Sequence, residues 1–352
     1  MAIRKSLIIG FLAPMLLAKV AEAQNSWVNN DSGLQKINAA VSAHLVSGVN
    51  RYKPIAAGAV ILDAKTGKLL VSVSTNSSSY KKLDLIKDGL YEFRQVAKIS
   101  TIAAALEAKV VTLKSRIDAR QPFKIGKYRI EDEYPQNRIL TVQEASLYRS
   151  NIAIAKIGLK IGGNYQSLFH ASIGLKDRIG DGSEPRFPKQ VKQAIVTANL
   201  FGQGFEITPL HAVSAFATLT NPDGRVIRPG SSSSQSGVGL TILSGETTAE
   251  IAKILRKDVE IGASKVVDIR NLPVGAITAT SKKVKDGVYL NDHVITSMIA
   301  VVPYYDPTHI FLTMFDEPQA AVGEAYKTAA WNSGKIMAQI LEDEVVRNLL
   351  FK

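Results

Sequence analysis

The sequence predicts an α+β protein with one five-stranded, mostly antiparallel sheet that is flanked by helices and carries an inserted helical region. Strand-like apolar runs occur near both ends of the 352-residue chain, whereas helical spacing of apolar residues dominates between about residues 95 and 260. A single sheet completed by both ends of the chain is the simplest arrangement of these segments. The content of 46% hydrophobic and 21% charged residues is typical of a globular domain.

The N-terminus predicts a secretory signal peptide over residues 1–23, followed by a short helical lead-in over residues 24–54. Two basic residues precede an apolar run over residues 7–18, and Ala21-Glu22-Ala23 provides small residues for cleavage after Ala23. The alternative is an uncleaved membrane anchor, but the apolar run is shorter than the about 20 residues that a membrane span requires. We therefore expect an exported, periplasmic protein without a membrane anchor.

The first half of the mature chain predicts a helix, a β-hairpin and a second, buried helix. An amphipathic helix is expected over residues 33–48, and apolar runs over 57–62 and 69–73 flank a turn at residues 65–67. The helix over residues 95–106 is apolar on nearly all sides, which indicates burial. Lys98 on this helix must either extend to solvent or line a polar cleft.

The second half predicts turns, three strands and a closing helix. Turns are expected at residues 181–182 and 222–224, and a Ser-rich loop at 228–239. Strands are expected over residues 273–281, 293–302 and 309–315. The closing helix is predicted from apolar residues at helical spacing, which are Trp331, Ile336, Met337, Ile340, Leu341 and Val345.

Composition excludes several classes of function. The chain has no cysteine, so disulfides, thiolate metal sites and thiol nucleophiles are absent, and its five histidines lack metal-ligand spacing. We expect no metal and no cofactor, a structural role for His211, and a turn rather than a phosphate loop at residues 202–204. The net charge of +12 comes from dispersed basic residues. This charge favours peripheral contact with a membrane or an acidic envelope polymer over nucleic-acid binding.

Six segments resemble, in the same order, the transpeptidase domain of class B penicillin-binding proteins, which cross-link peptidoglycan stem peptides. The segments are residues 59–74, 91–107, 124–158, 207–224, 274–283 and 305–318. The resemblance implies the penicillin-binding transpeptidase and serine β-lactamase-like fold over residues 55–352. In that fold the sheet is the middle of a three-layer α/β/α sandwich, and an all-helical subdomain is inserted between its strands.

The family's chemistry rests on three motifs, Ser-x-x-Lys, Ser-x-Asn and Lys-Thr-Gly. The first serine attacks the acyl carbonyl, and the lysine three residues later lies on the same helix face and accepts its proton. The second motif relays protons and holds the substrate amide. The third binds the substrate carboxylate, and its glycine leaves room for the substrate along a strand whose backbone N–H helps to stabilise the oxyanion.

In this chain every one of these motifs is altered. The nucleophile position is glutamine, the second-motif serine is arginine, and the third motif lacks its lysine and its glycine. The family-equivalent positions are Gln95, Lys98, Arg149, Asn151, Ile277, Thr278 and Ala279. The usual Pro-Gly before the nucleophile is replaced by Phe93-Arg94. Because a neutral amide is not a nucleophile, we expect the chain to be catalytically inactive.

Three short patterns elsewhere match the motifs but lie in the wrong places. They occur at residues 65–67, 74–76 and 78–81, on a hairpin turn and on the segment after a strand. The chemistry needs a buried helix start, a loop and a sheet edge that converge. We therefore interpret these matches as chance occurrences.

We expect a binding or regulatory module in peptidoglycan synthesis, with a stem peptide or an active cell-wall synthase or divisome protein as its partner. Lys98 and Arg149 would place two cations near one cleft, so either Arg149 turns outward or the cleft holds an anion. One alternative is a weakly active D,D-transpeptidase or carboxypeptidase with an unconventional nucleophile. Ser100 and Ser150 are the nearest hydroxyls, although Ser100 lies on the wrong side of Lys98. A second alternative is a degenerating paralogue without a retained role.

Overall fold

The computed structural model describes residues 31–76, 84–125, 128–187, 202–230, 237–285 and 288–351. The strands in chain order are β1 Ala56–Asp63, β2 Leu69–Asn76, β3 Arg116–Asp118, β4 Phe123–Ile125, β5 Tyr128–Ile130, β6 Ile139–Thr141, β7 Arg225–Arg228, β8 Gly237–Thr241, β9 Gly275–Lys285, β10 Val288–Val302 and β11 His309–Asp316. The helices are α1 Ser32–Tyr52, α2 Leu85–Asp88, α3 Arg94–Glu107, α4 Val142–Leu147, α5 Asn151–Ile161, α6 Gly163–Ser172, α7 Pro209–Thr220, α8 Gly245–Ile261, α9 Ser333–Glu342 and α10 Glu344–Leu350.

Five of these strands form the main sheet in the order β2-β1-β11-β10-β9, and every neighbouring pair is antiparallel. Strand β1 from the first part of the chain pairs with β11 from the last part, from Ala56 opposite Asp316 to Asp63 opposite His309. The predicted sheet, completed by both ends of the chain, is therefore confirmed. The order leaves β9 and β2 at opposite edges.

Helices cover both faces of the sheet. On β1, Val60 packs into the cluster that contains α3 and α7, whereas Ile61 packs into the cluster that contains α1 and α9. This alternation follows from the two-residue period of a strand, with apolar residues directed to both sides. The predicted three layers are confirmed.

Helix α3 is the centre of the larger cluster. Every residue from position 95 to position 106 is buried, as the all-round apolar pattern predicts. The side chain of Lys98 is included in this burial and does not extend to solvent. The polar group at the start of α3 therefore needs partners inside the protein.

The inserted region is not entirely helical. Its described residues contain three two-stranded sheets, formed by β3 with β6, β4 with β5, and β7 with β8. Four of these strands have three residues each, too few for an alternating pattern to emerge from the sequence. Helix α1 is also longer than predicted, with 21 residues that end at Tyr52.

The predicted closing helix is two helices. The break lies at Asp343, whose carboxylate accepts hydrogen bonds from the backbone N–H groups of Val345 and Val346 and so begins α10. Because the break rotates the following helix, Val346 is buried and Val345 is exposed, and the predicted core position of Val345 is wrong. Trp331 lies in a short 3₁₀ turn before α9 and is exposed, so its predicted place on the apolar face of the closing helix is also wrong.

Two sequence predictions fall outside the described residues. These are the signal peptide over residues 1–23 and the motif-like pattern at 78–81. Residues 24–30 of the predicted lead-in and 231–236 of the predicted Ser-rich loop also lie outside the described residues. Within the described ranges, no helix has the length and apolar character needed to cross a membrane.

Gly67, in the turn between β1 and β2, supplies a test of the fold. Its φ is +75°, and a Cβ there would lie 2.2 Å from the backbone oxygen of Arg228. We expect Gly67→Ala to lower the free energy of unfolding by at least about 2 kcal/mol. The reason is that the cost of a left-handed backbone conformation for alanine and the cost of the steric overlap with Arg228 add together. The matched control is Gly237→Ala, where a Cβ would meet nothing within 4 Å. Equal midpoints for both variants in urea would contradict the assigned turn.

Candidate active site

The start of α3 carries Gln95 and Lys98, three residues apart and therefore on one helix face. Only 8% of the surface of Gln95 and 7% of that of Lys98 is exposed. The Lys98 Nζ donates a hydrogen bond of 2.8 Å to the backbone oxygen of Arg149, in the turn between α4 and α5. This bond places the first and second predicted motifs in contact.

The environment of Lys98 disfavours its charged form. Burial, with smaller contributions from the positive charges of Arg94 and Arg149, lowers the pKa of Lys98 to about 7, although Asp132 and Glu133 act in the opposite direction. Near neutral pH the ammonium and the neutral amine are therefore both populated. The group can accept a proton, but the neighbouring side chain at position 95 is an amide with no acidic proton to give.

Arg149 bridges three elements. Its backbone has φ of +54°, and its Nη1 donates to the Leu147 backbone oxygen at 2.9 Å. Its Nη2 donates to Asp258 Oδ2 at 3.1 Å and to Thr278 Oγ1 at 2.9 Å. The turn after α4, helix α8 and strand β9 are thus joined through one guanidinium. The arginine neither turns outward nor requires an external anion, because a carboxylate of the protein neutralises it.

Asp258 is a residue of this site that sequence reasoning missed. It lies near the end of α8, is 2% exposed, and also accepts a hydrogen bond from the Ser264 hydroxyl. Its Oδ1 has no hydrogen-bond partner among the described residues. The available signal was its spacing: Asp258 follows Ile251 and Leu255 at helical intervals and so lies on the apolar stripe of α8.

Ser150 has a structural partner instead of a catalytic one. Its hydroxyl donates to Asp132 Oδ2 at 2.7 Å and accepts from the backbone N–H of Ala153, which caps α5. Asp132 Oδ1 also accepts from the Ile152 N–H at 2.9 Å. Both carboxylate oxygens of Asp132 are therefore used to hold the start of α5, and Ser150 is fully buried.

The remaining predicted positions divide between the core and the edge of the sheet. Asn151 Nδ2 donates to the Glu131 backbone oxygen at 3.0 Å. Ile277 is 2% exposed and belongs to the same hydrophobic cluster as α3, while Ala279 on β9 is partly exposed. The structure therefore joins Lys98, Arg149 and Thr278 through direct contacts. The assignment of the seven positions to family motifs stays a prediction.

Histidines near this region make structural contacts. His170 Nε2 lies 3.1 Å from the Ser100 hydroxyl, and burial lowers the pKa of His170 to about 3. The His211 ring contacts Thr208 Oγ1 at 2.7 Å and the Asp177 backbone oxygen at 2.8 Å. In the part of the chain that the structure describes, no group of three or more histidine and carboxylate side chains is arranged to hold a metal ion.

The motif-like patterns at residues 65–67 and 74–76 lie at the wrong edge of the sheet. The first forms the turn between β1 and β2, and the second is the end of β2. Strand β2 is separated from β9 by three strands, because the order is β2-β1-β11-β10-β9. The strand that contacts α3 is β9, and these residues lie three strands away from it. This position supports their interpretation as chance matches.

Comparison with known protein families identifies the class of protein to which this fold belongs. The sequence model of the penicillin-binding protein transpeptidase domain matches residues 57–342. The chain belongs to this family, and the resemblance to class B penicillin-binding proteins is confirmed.

Particular relatives cover most of this chain. It is 26% identical over 334 residues to the probable peptidoglycan D,D-transpeptidase FtsI of Caulobacter vibrioides, which covers 87% of this chain and 56% of that protein. It is 25% identical over 343 residues to the stage V sporulation protein D of Bacillus subtilis, with 88% and 52% covered. The chain thus spans about half the length of the curated relatives it matches.

Solved structures show the same fold. The transpeptidase domain of penicillin-binding protein 3 from Burkholderia pseudomallei superposes with a TM-score of 0.78 at 20% identity, covering 90% of this chain and 95% of that one. Penicillin-binding protein 3 of Mycobacterium tuberculosis, solved with aztreonam, gives 0.75 at 16% identity, with 89% and 77% covered. The predicted α+β architecture is thereby confirmed.

The lowered pKa of Lys98 predicts a pH dependence of stability. Between pH 7 and 10.5 the unfolded chain binds a proton at Lys98 that the folded chain has released, so stability rises with pH across this window. Lys98→Met removes the titrating group. We expect the free energy of unfolding of the wild type, minus that of Lys98→Met, to increase from pH 7 to 10 in urea titrations. Parallel curves would show that the lysine keeps its ordinary pKa.

The ion pair between the partly exposed Arg149 and the buried Asp258 predicts strong coupling. We expect Arg149→Met to destabilise the fold by about 3 kcal/mol, because it leaves a buried carboxylate without its cation. Adding Asp258→Asn should recover a substantial part of this loss, since the remaining amide carries no charge. A double-mutant cycle by chemical unfolding measures the coupling. Additive effects would mean that the two side chains do not interact in solution.

Proposed function

We propose that this chain is an exported penicillin-binding-protein transpeptidase domain that does not catalyse acyl transfer and acts as a binding or regulatory module in peptidoglycan synthesis. The observation that carries the proposal is the hydrogen bond of 2.9 Å that Arg149 Nη2 donates to Thr278 Oγ1. This side chain stands where the resemblance expects a serine hydroxyl. Export rests on the predicted signal at residues 1–23.

The chemistry at the start of α3 supports the loss of catalysis. Acyl transfer needs a nucleophile and a base, and Lys98 with a pKa of about 7 could serve only as the base. Gln95 offers no hydroxyl. In a hydrolase that also uses a serine nucleophile and a general base, removal of the serine reduces turnover by roughly 10⁶-fold.

The substrate side of the site supports the same proposal. The third motif of the family uses a lysine and a threonine for a substrate carboxylate, but here the lysine position is Ile277 in the core. The cation that is close to Thr278 is Arg149, and Asp258 neutralises it. The site therefore has little net attraction for a carboxylate, and the methyl group of Ala279 occupies space along β9.

The alternative of an unconventional nucleophile has little support from the geometry. Ser100 and Ser150 both have 0% of their surface exposed. The Ser100 hydroxyl bonds to the Ala97 backbone oxygen and contacts His170, while that of Ser150 is held by Asp132. Neither hydroxyl can meet a carbonyl carbon without disruption of α3 or α5.

The partner is proposed from the family and the charge. Its relatives include a probable peptidoglycan D,D-transpeptidase and a sporulation protein, so a role at the cell wall is the natural expectation. A stem peptide, or an active synthase or divisome protein, would be bound without turnover. The net charge of +12 would favour association with acidic polymers or membrane surfaces of the envelope.

The decisive measurement is incubation of the purified protein with a fluorescent penicillin, followed by denaturing gel and intact mass. We expect no covalent adduct on the natural chain, because position 95 has no nucleophile. A variant carrying Gln95→Ser, Arg149→Ser, Ile277→Lys and Ala279→Gly should form an adduct at the serine introduced at position 95. An active penicillin-binding protein serves as the positive control.

An adduct on the natural chain that disappears on mutation of one serine would overturn the proposal and identify a substitute nucleophile. The binding role is tested separately by sedimentation of the natural chain with purified peptidoglycan. Absence of binding to peptidoglycan would leave a protein partner as the required ligand, to be tested with purified synthases.

A further inference from the structure

A second polar cluster joins the start of α3 to the sheet. Glu92 is 9% exposed, and its Oε1 accepts from the Gly204 N–H at 2.7 Å and from the Tyr289 hydroxyl at 2.9 Å. The Arg94 Nε lies 3.3 Å from Glu92 Oε2, and the Arg94 guanidinium carbon lies 5.0 Å from the centre of the Tyr289 ring. The tyrosine is therefore held by a carboxylate at its hydroxyl and by a cation at its face.

The cluster spans the junction between two layers. Arg94 is the first residue of α3 and directly precedes Gln95, whereas Tyr289 belongs to β10 and pairs with Val284 of β9. Burial and the nearby charge of Glu92 raise the pKa of Tyr289 to about 12, so its hydroxyl remains a donor at neutral pH. The far end of the β9–β10 hairpin is thus tied to the start of α3.

The turn at residues 202–204 packs against the same point. Gly202 has φ of +84°, and a Cβ there would lie 2.7 Å from the Cα of Arg94. The N–H of Gly204 is bonded to Glu92. The backbone of this turn therefore packs closely against the start of α3 at Arg94, the residue before Gln95.

The contact of Arg149 with Thr278 lies on β9, the strand whose Val284 pairs with Tyr289 of β10. Thr278 and Val284 are six positions apart on β9, which corresponds to about 20 Å at the usual rise per residue. Two arginines therefore connect the region around α3 to the β9–β10 hairpin at separate points. Both stand where the resemblance expects small residues, a glycine at 94 and a serine at 149.

We propose that Arg94 and Arg149 act as two clasps that close the site at Gln95 and Lys98 to penicillins and D,D-peptides. A closed site accords with the low exposure of the polar pair at the start of α3, which is 8% for Gln95 and 7% for Lys98. Access then requires local opening, in which the Arg94–Tyr289 and Arg149–Thr278 contacts separate while the sheet stays paired. This inference rests on the proposed function, since a closed site is compatible with a chain that has no acyl transfer to perform.

The test uses the absence of cysteine from the chain. Gln95→Cys introduces a single thiol at the site, and its reaction rate is measured with a bulky fluorescent maleimide and with a small methanethiosulfonate. We expect Arg94→Gly or Arg149→Asn in this background to speed the bulky reagent at least about tenfold, because each variant favours the open form. Asparagine is used at 149 because it tolerates the left-handed backbone.

Matched controls separate local opening from unfolding. Arg120→Ala removes an arginine whose ion-pair partner among the described residues is Asp118 at the surface, so it should leave the rate at position 95 unchanged. A thiol introduced by Leu240→Cys, at a position that is 83% exposed, calibrates the reagent. A thiol introduced by Ala105→Cys, in the middle of α3 and 0% exposed, reports global unfolding.

Equal rates at position 95 with and without the two arginines would overturn the clasps. Equal acceleration at positions 95 and 105 would also overturn them, since the arginines would then stabilise the whole fold and not the closure. The thiol reaction involves no acyl transfer. A penicillin adduct on the natural chain would therefore refute the proposed function without changing these rates, and the two failures are distinguishable.

Discussion

The pairing of β1 with β11 is the constraint on which the rest of the structure depends. It brings an early segment and a late segment of the chain into one continuous ladder, from Ala56 opposite Asp316 to Asp63 opposite His309. Buried backbone groups must be hydrogen-bonded, so these two strands lie inside the sheet and the remaining strands are added outward. β9 is then the edge strand beside the inserted region, and the start of α3 faces it.

Charge in this site is balanced within the protein. Arg149 forms an ion pair with Asp258, and the amine of Lys98 donates a hydrogen bond to the backbone oxygen of Arg149. Removing one member of a buried pair leaves an uncompensated charge, which is more costly than the loss of both members. Lys98, Arg149 and Thr278 are thereby joined to one another and, through Asp258, to α8.

Periodicity predicted the long elements and missed the short ones. The β1–β2 hairpin, helix α3 and strands β10 and β11 each contain enough apolar residues for a two- or 3.6-residue period to be recognised. The three-residue strands β3 to β6 do not. The break at Asp343 was missed because its carboxylate competes locally with the continuing helix, a choice that the apolar pattern does not record.

The sequence by itself determined the chemical inventory: no cysteine, an amide at position 95, a lysine three residues later, and the order of segments that indicates the family. Only the tertiary structure decided how these groups behave. Asp258 becomes the partner of Arg149, and Tyr289 that of Arg94, across long separations in the chain. Electrostatic and hydrogen-bond energies depend on distance and burial, and both are set only when the sheet and the inserted region pack together.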